Sequence, residues 1–213
     1  MEHFIDLFVM LILAYLIGAI PTSIWIGKVF YKIDIREFGS GNAGASNAIR
    51  VFGPAVGILV MIFDIFKGFA AVYLVKFFSF LQPDTPEIVS VQIILGIAAV
   101  LGHIYPVYAG FRGGKGVASI FGVLLALHPI ATLCAAGVFL IGFFTTRYSS
   151  LGSILAGLSF PILINFVFNS PHLQLRIFSG LVSLLIIFTH RKNIVRLWNG
   201  NENKTNFSSK TKV

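Results

Sequence analysis

Five long apolar stretches follow a first run, Phe4 to Gly27, that carries no Lys or Arg. They cover Val51–Phe78, Ile88–Ala109, Val117–Thr146, Leu151–Phe168 and Leu173–Thr189. About 20 such residues cross a bilayer. Inside lipid the backbone must satisfy its own hydrogen bonds, so runs of this kind become helices. With 56% hydrophobic and 11% charged residues, the chain lies far from the soluble norm of about one quarter charged. The fold class is therefore an all-α polytopic membrane protein. Its net charge of +8 would raise nucleic acid as a partner in a soluble chain. Here the basic residues sit between apolar runs without aromatic–basic arrays, so no nucleic acid is expected; positive-inside topology and anionic ligands account for the charge. The single cysteine, Cys134, can form no intrachain disulfide and has no metal-ligand spacing. No metal or cofactor is expected.

Topology follows from charge. Glu2 and Asp6 stand where a cleavable signal has a basic segment, and Lys28, Lys32, Arg36 and Arg50 follow the first run. The N-terminus is thus expected outside and the first loop inside. Gln82 to Glu87 reads as a short outer loop. Val117–Thr146 is too long for one ordinary span and short for two, with His128-Pro129 near its middle. A single crossing would leave Arg191, Lys192, Arg196, Lys204, Lys210 and Lys212 outside. A turn at His128-Pro129 puts every basic loop inside. The expectation is seven transmembrane helices, the fourth and fifth short at about 20 Å each, with a cytoplasmic C-terminus. Residues 1–198 form one membrane domain, and 199–213 a polar, disordered cytoplasmic tail.

Little polar sequence interrupts these runs, so what there is bears on chemistry. Gly110-Phe111-Arg112-Gly113-Gly114-Lys115-Gly116 combines uncrowded amides with two cations, the requirements of an anion site. It is not a nucleotide P-loop: Ala109 stands where the first glycine belongs, and Gly116 replaces the Mg-ligating hydroxyl. Read plainly, it is an inter-helix turn in a basic loop. Gly39-Ser40-Gly41-Asn42-Ala43-Gly44-Ala45-Ser46-Asn47, then Arg50, is either a loop of turn formers or a second anion nest with Arg50 as a clamp. Asp64 and Lys67 lie on neighbouring helical positions; in lipid such charges pair or face the protein interior, and a structural ion pair is the favoured role. His103 is a structural histidine or a site member. Arg147-Tyr148-Ser149-Ser150 makes a third inner loop. His190 to Trp198 reads as a basic amphipathic end anchored by Trp198 at the interface. Ser40, Arg50, Lys115, Ser150, His190 and Asn193 all fall on one side of the membrane under this topology. Cations beside an apolar bundle suit lipid phosphate chemistry. A His-x4-Asp acyltransferase motif, an acidic Mg cluster and a Gly-x-Ser-x-Gly elbow are all missing from the sequence.

The Gly39–Asn47 stretch with Arg50 resembles the first motif of the PlsY-type family, the bacterial acyl-phosphate:glycerol-3-phosphate acyltransferases. Gly102-His103-x-Tyr105-Pro106-Val107 continuing through Phe111–Ala118 resembles the second, His190-Arg191-x-Asn193-Ile194-x-Arg196-Leu197 the tail motif, and Arg147-Tyr148-x-Ser150-Leu151 the short inner loop. Lys192 departs from the acid that relatives often carry before the Asn, and Ser46 replaces a frequent Thr. The resemblance implies a seven-helix enzyme of the bacterial cytoplasmic membrane with its site facing the cytoplasm. It would transfer a fatty acyl group from acyl phosphate to the 1-hydroxyl of sn-glycerol 3-phosphate, giving 1-acyl-sn-glycerol 3-phosphate and phosphate, the first acylation of phospholipid synthesis. It implies catalytic Ser40, Arg50, Lys115, Ser150, His190 and Asn193, and substrate-binding Gly41, Asn42, Gly44, Asn47, His103, Arg112, Gly113, Gly114 and Gly116. Lys115, Arg50 and the Gly113–Gly116 amides would hold glycerol phosphate; Ser40, Ser150 and the Gly41–Gly44 amides the acyl phosphate, or the reverse; His190 and Asn193 the glycerol hydroxyls. Membrane lipids are partners, and contact with other phospholipid-synthesis enzymes is an open option. Two other classes remain as alternatives: a transporter of a small organic phosphate or anionic lipid, with Asp64, Lys67 and the His128-Pro129 break as its features, and a membrane adaptor whose loops bind protein.

Overall fold

The computed structural model describes residues 2–77 and 85–205, all helix and loop, with no strand among them. Half of the expected outer loop, residues 82–84, lies outside these residues, as does the tail beyond 205, while Pro86 and Glu87 already belong to the helix that follows. The helices are α1 (Glu2–Gly18), α2 (Thr22–Ile26), α3 (Ala45–Phe52), α4 (Pro54–Tyr73), α5 (Pro86–Ile104), α6 (Val117–Leu127), α7 (Pro129–Thr146), α8 (Ser149–Ile162), α9 (Leu173–Thr189) and α10 (Arg191–Trp198). Four continuous helices are long and apolar enough to span a membrane, six if each of two bent pairs counts as one span. The chain divides into two compact units, one up to Leu127 and one from His128.

In the first unit α4 packs on α6, α1 on α5, and α3 on α4. The α4–α6 contact is backbone to backbone. A Cβ at Gly68 would lie 2.1 Å from the Ser119 carbonyl oxygen, and one at Gly122 1.9 Å from that of Ile65. Small residues at a crossing are how membrane helices gain packing where burying apolar surface gives no driving force. The faces of α4 follow the same logic. Val60, Asp64, Lys67, Gly68 and Ala71 are buried, while Ile62, Phe63 and Phe66 are exposed. Charge and small residues face in and large apolar ones face out, as expected where lipid is the solvent.

Two of the expected spans are interrupted. The first bends by 43° between α1 and the segment Thr22–Tyr31. Pro21 lacks the N–H that a continuous helix would need there, and Ala19 and Ile20 close the α1 end through backbone bonds to Tyr15 and Ile17. The second starts at Pro54 rather than Val51: Gly53 has φ +92° and Pro54 occupies the first turn of α4. Arg50 therefore rides on the separate short helix α3 rather than at the mouth of a span.

In the second unit α8 packs between α7 and α9. The break at His128-Pro129 is present: the His128 Nδ1 accepts from the Ala131 N–H at 3.2 Å and caps α7, with Pro129 at its first position. The pieces are unequal, however. At 1.5 Å per residue α6 is about 17 Å long and α7 about 27 Å, so only α6 is short. Asp64 and Lys67, in the first unit, pair as expected, with Nζ 2.8 Å from Oδ1. Residues 199–205, expected to be a disordered tail, fold back instead. The Thr205 N–H donates to the Arg147 carbonyl at 2.9 Å and the Asn201 N–H to that of Arg196 at 2.8 Å.

Candidate active site

In the first unit the Ser40 loop is built around one side chain. Asn47, in the first turn of α3 and 1% exposed, accepts the Ser40 N–H at 2.8 Å. Its Nδ2 donates to the carbonyls of Ile35 and Phe38 at 3.2 and 3.0 Å. Every polar group of that amide holds the loop. Asn47 is thus a scaffold beneath Ser40 in this geometry, with both Nδ2 protons committed to the loop. Gly41 turns at φ +73° and its N–H donates to the Phe38 carbonyl. The Gly44 carbonyl accepts the N–H groups of Asn47 and Ala48, starting α3. Ser23 Oγ, buried, donates to the Ala43 carbonyl at 2.8 Å and ties α2 to the loop. Ser40, Asn42 and Arg50 are half-buried.

The glycine loop is strapped across the C-terminal end of α5. The Gly113 N–H donates to the Ile104 carbonyl at 3.0 Å and the Gly114 N–H to that of His103 at 3.2 Å. These amides cap a helix end and are not the uncovered anion donors that the sequence suggests. Close approach explains the residue type: a Cβ at Gly113 would sit 2.0 Å from the His103 carbonyl oxygen, and one at Gly114 2.1 Å from His103 Nε2. Gly116, at φ +81°, opens α6 by accepting from Ile120. Lys115 is half-buried and the Arg112 side chain exposed.

Arg36, which the sequence presents only as a loop cation, joins these two loops. It forms a fork with Asp34 (Nε to Oδ1 2.9 Å, Nη2 to Oδ2 2.7 Å), and its Nη1 donates to the carbonyls of Ala109 and Arg112 at 2.8 and 3.1 Å. Bidentate geometry of this kind is what guanidinium supplies and ammonium does not. Hydrogen bonding to Arg36 holds the Asp34 carboxyl below the usual carboxylate range, and the same bond raises the guanidinium further. No local pattern in the sequence signals Arg36, because its carbonyl partners are more than 70 residues away.

In the second unit Glu202 organises Ser150 and Asn193. Its Oε1 accepts from Ser150 Oγ at 2.8 Å and Asn193 Nδ2 at 2.6 Å, and its Oε2 from Arg196 Nε at 2.9 Å. All but Arg196 are buried. The single hydroxyl proton of Ser150 points at a carboxylate, so Ser150 in this arrangement is not a donor to phosphate. The same bond fixes the orientation of the Asn193 amide. Glu202 lies in a polar tail and belongs to no motif; the signal available for it is its place one turn beyond an amphipathic basic helix. His190, 3% exposed, stands at the 61° bend between α9 and α10. Its Nδ1 lies 2.9 Å from the Ile186 carbonyl. A carbonyl can only accept, so Nδ1 carries the proton and Nε2 the lone pair. Among the described residues no group of three or more His, Cys, Asp or Glu gathers in a way that could hold a metal.

Comparison with known proteins identifies what these motifs belong to. The family model described as glycerol-3-phosphate acyltransferase matches residues 8–200. Glycerol-3-phosphate acyltransferases of Chlorobaculum tepidum and Chlorobaculum parvum are 45% and 44% identical, over 94% and 93% of this chain and 97% and 96% of theirs. Among solved structures, the crystal structure of PlsY, an integral membrane glycerol 3-phosphate acyltransferase, in its glycerol 3-phosphate form is 37% identical over 94% of this chain and 96% of that one, at a TM-score of 0.83. Its lysophosphatidic acid form matches at 0.80 with 36% identity. The chain belongs to the glycerol-3-phosphate acyltransferase family.

Proposed function

We propose that this protein transfers a fatty acyl group from acyl phosphate to the 1-hydroxyl of sn-glycerol 3-phosphate, releasing 1-acyl-sn-glycerol 3-phosphate and inorganic phosphate. The observation that carries the reading is the 37% identity, over nearly the whole chain, to an acyltransferase solved with glycerol 3-phosphate. The same enzyme was also solved in a lysophosphatidic acid form, the mono-acylated product of that substrate.

The chemistry suits the residues. Acyl phosphate is an activated mixed anhydride, so no nucleophilic Ser or Cys need be acylated. The glycerol hydroxyl oxygen attacks the acyl carbonyl carbon, the C–O bond to phosphate breaks, and the hydroxyl proton ends on a base or on the departing phosphate. Holding the hydroxyl against the carbonyl contributes about 7–11 kcal/mol, and each oxyanion donor about 3 kcal/mol. Lys115 and Arg50 hold the glycerol phosphate, with Arg112 at the loop's exposed edge. The Ser40 hydroxyl, on the loop that Asn47 fixes, meets the acyl phosphate. Asn193 orients a glycerol hydroxyl, and His190 is the protein base for the reacting proton. Ser150 acts with Glu202 to orient Asn193. His103, Gly41, Asn42, Gly44, Gly113, Gly114 and Gly116 shape the loops that carry these groups.

The membrane reading is seven spans, N-terminus outside and C-terminus cytoplasmic, in a bacterial cytoplasmic membrane with the site facing the cytoplasm. Six spans by length and composition plus the shorter apolar helix α6 support the count, and the basic inner loops support the orientation. Purified protein in detergent, given an acyl phosphate and glycerol 3-phosphate, is expected to release phosphate and lysophosphatidate in equal amounts. Phosphate without lysophosphatidate, or neither, refutes the reading.

A further inference from the structure

Asp64, Lys67 and Ser119 are buried polar side chains to which the reaction above gives no part. They converge on His103. Lys67 Nζ lies 2.8 Å from Asp64 Oδ1 and donates to the Ile20 carbonyl at 2.9 Å, at the break between α1 and α2. The same Asp64 oxygen is 3.7 Å from His103 Nδ1, and Ser119 Oγ is 3.2 Å from that nitrogen. Asp64 is 2% exposed, Lys67 5%, His103 6% and Ser119 fully buried. The small pocket touching Pro21, Ala43, Asp64, Lys67, His103 and Gly114 has room for about one water. A phosphate or a glycerol does not fit in that space.

The far edge of the His103 ring is pressed on the glycine loop. Its Nε2 occupies the space where Gly114 would carry a side chain, at 2.1 Å from that position, and the His103 carbonyl holds the Gly114 N–H. Lys115 is the next residue. The ring is therefore a wedge with a polar anchor on one edge and the Lys115 loop on the other. Stability alone does not account for the anchor, since a buried ion pair is often no better than apolar residues of similar volume.

We propose that Asp64 is a positioning residue, anchored by Lys67, that fixes the His103 ring and through it the placement of Lys115 for the phosphate of glycerol 3-phosphate. This rests on the assignment of Lys115 to that phosphate. The test is kinetic, on full-length protein in detergent, with the KM for each substrate, kcat and Tm measured for Asp64→Asn, Asp64→Asn/Lys67→Met, Ser119→Ala and Lys115→Ala. Asp64→Asn leaves Lys67 a buried cation without its anion, and Lys67→Met in the same chain removes that cation. The double variant is expected to recover the Tm while its KM for glycerol 3-phosphate stays raised at least tenfold, with the KM for acyl phosphate within twofold of wild type. Ser119→Ala is expected to raise the glycerol 3-phosphate KM about threefold at unchanged Tm. Recovery of both Tm and KM in the double variant overturns the proposal. So does a double variant that does not fold together with a Ser119→Ala of wild-type KM. A raised KM in Lys115→Ala with none in the folded Asp64 variants overturns the positioning role alone. A wild-type KM in Lys115→Ala overturns the phosphate assignment and the proposal with it.

Discussion

Gly114→Ala tests the architecture of the glycine loop most directly. The added methyl would start 2.1 Å from His103 Nε2, where ordinary contact begins at 3.4 Å. Loop or ring must move by more than about 1 Å, and the buried ring is set between Asp64 and Ser119. Overpacking of this kind costs about 1–3 kcal/mol. Lengthening the Gly114 N–H bond to the His103 carbonyl adds about 1 kcal/mol. A displacement near 1 Å beside the reacting groups can lower rate about 10²-fold. The control is Gly110→Ala in the same loop. Gly110 has φ +63°, and a Cβ added there would meet nothing within 4 Å, so its alanine bears only the left-handed backbone cost of about 1–2 kcal/mol. Scanning fluorimetry in detergent and steady-state kinetics should then separate the two. Both lose stability, Gly114→Ala the more, but only Gly114→Ala loses about 10²-fold in kcat/KM for glycerol 3-phosphate. Equal kinetic losses, or wild-type kinetics in Gly114→Ala, would refute the idea that the His103 wedge sets the loop.

Three further outcomes are expected. Asp34 has a folded pKa depressed by Arg36, so its contribution is present above the unfolded value of about 3.9 and is lost as pH falls through the lower folded value; Tm should drop below about pH 4 in wild type and less steeply in Asp34→Asn. Glu202→Gln cannot accept from Ser150, Asn193 and Arg196 together, and charge-assisted bonds of this kind contribute about 1.5–3 kcal/mol each; turnover should fall at least tenfold, and a chain ending at Asn199 should match it, whereas full activity in either removes Glu202 from the site. His190→Gln should lower kcat by about 10²-fold or more with Tm unchanged, and a loss under tenfold in a phosphate-release assay would put the proton on the departing phosphate instead.

Much of the helical scaffold was legible because its punctuation is local. His128-Pro129 supplies both a cap and a residue that cannot continue a helix, and α9 begins and ends where its apolar run does, at Leu173 and Thr189. The break at Pro21 was less visible because apolar residues surround it, and a hydropathy run does not register a missing N–H. Gly53-Pro54 carried a readable signal that the apolar run from Val51 overrode. The site was legible at the level of motif and not of contact. Ser40, Lys115 and Asn193 stand out because they lie in short polar motifs between apolar runs, whereas Arg36 and Glu202 act through partners that no spacing rule connects.

The glycine loops show why that difference matters. Glycines beside cations suggest a nest of bare amides, yet the amides of Ser40, Gly41, Gly113 and Gly114 are all bonded within the protein. A loop whose amides close its own turns and cap a neighbouring helix is held in place before substrate arrives, and these four amides are committed to the fold rather than to phosphate. In the proposed reaction the anion is met by side-chain cations and a hydroxyl carried on this backbone. That division of labour fits a substrate whose two ends are both anionic or polar. A rigid frame lowers the entropy lost on binding. It also predicts where the site is fragile: substitutions at Asn47, Arg36 or Gly114, which hold the loops in place, should damage affinity as severely as the loss of Lys115 itself.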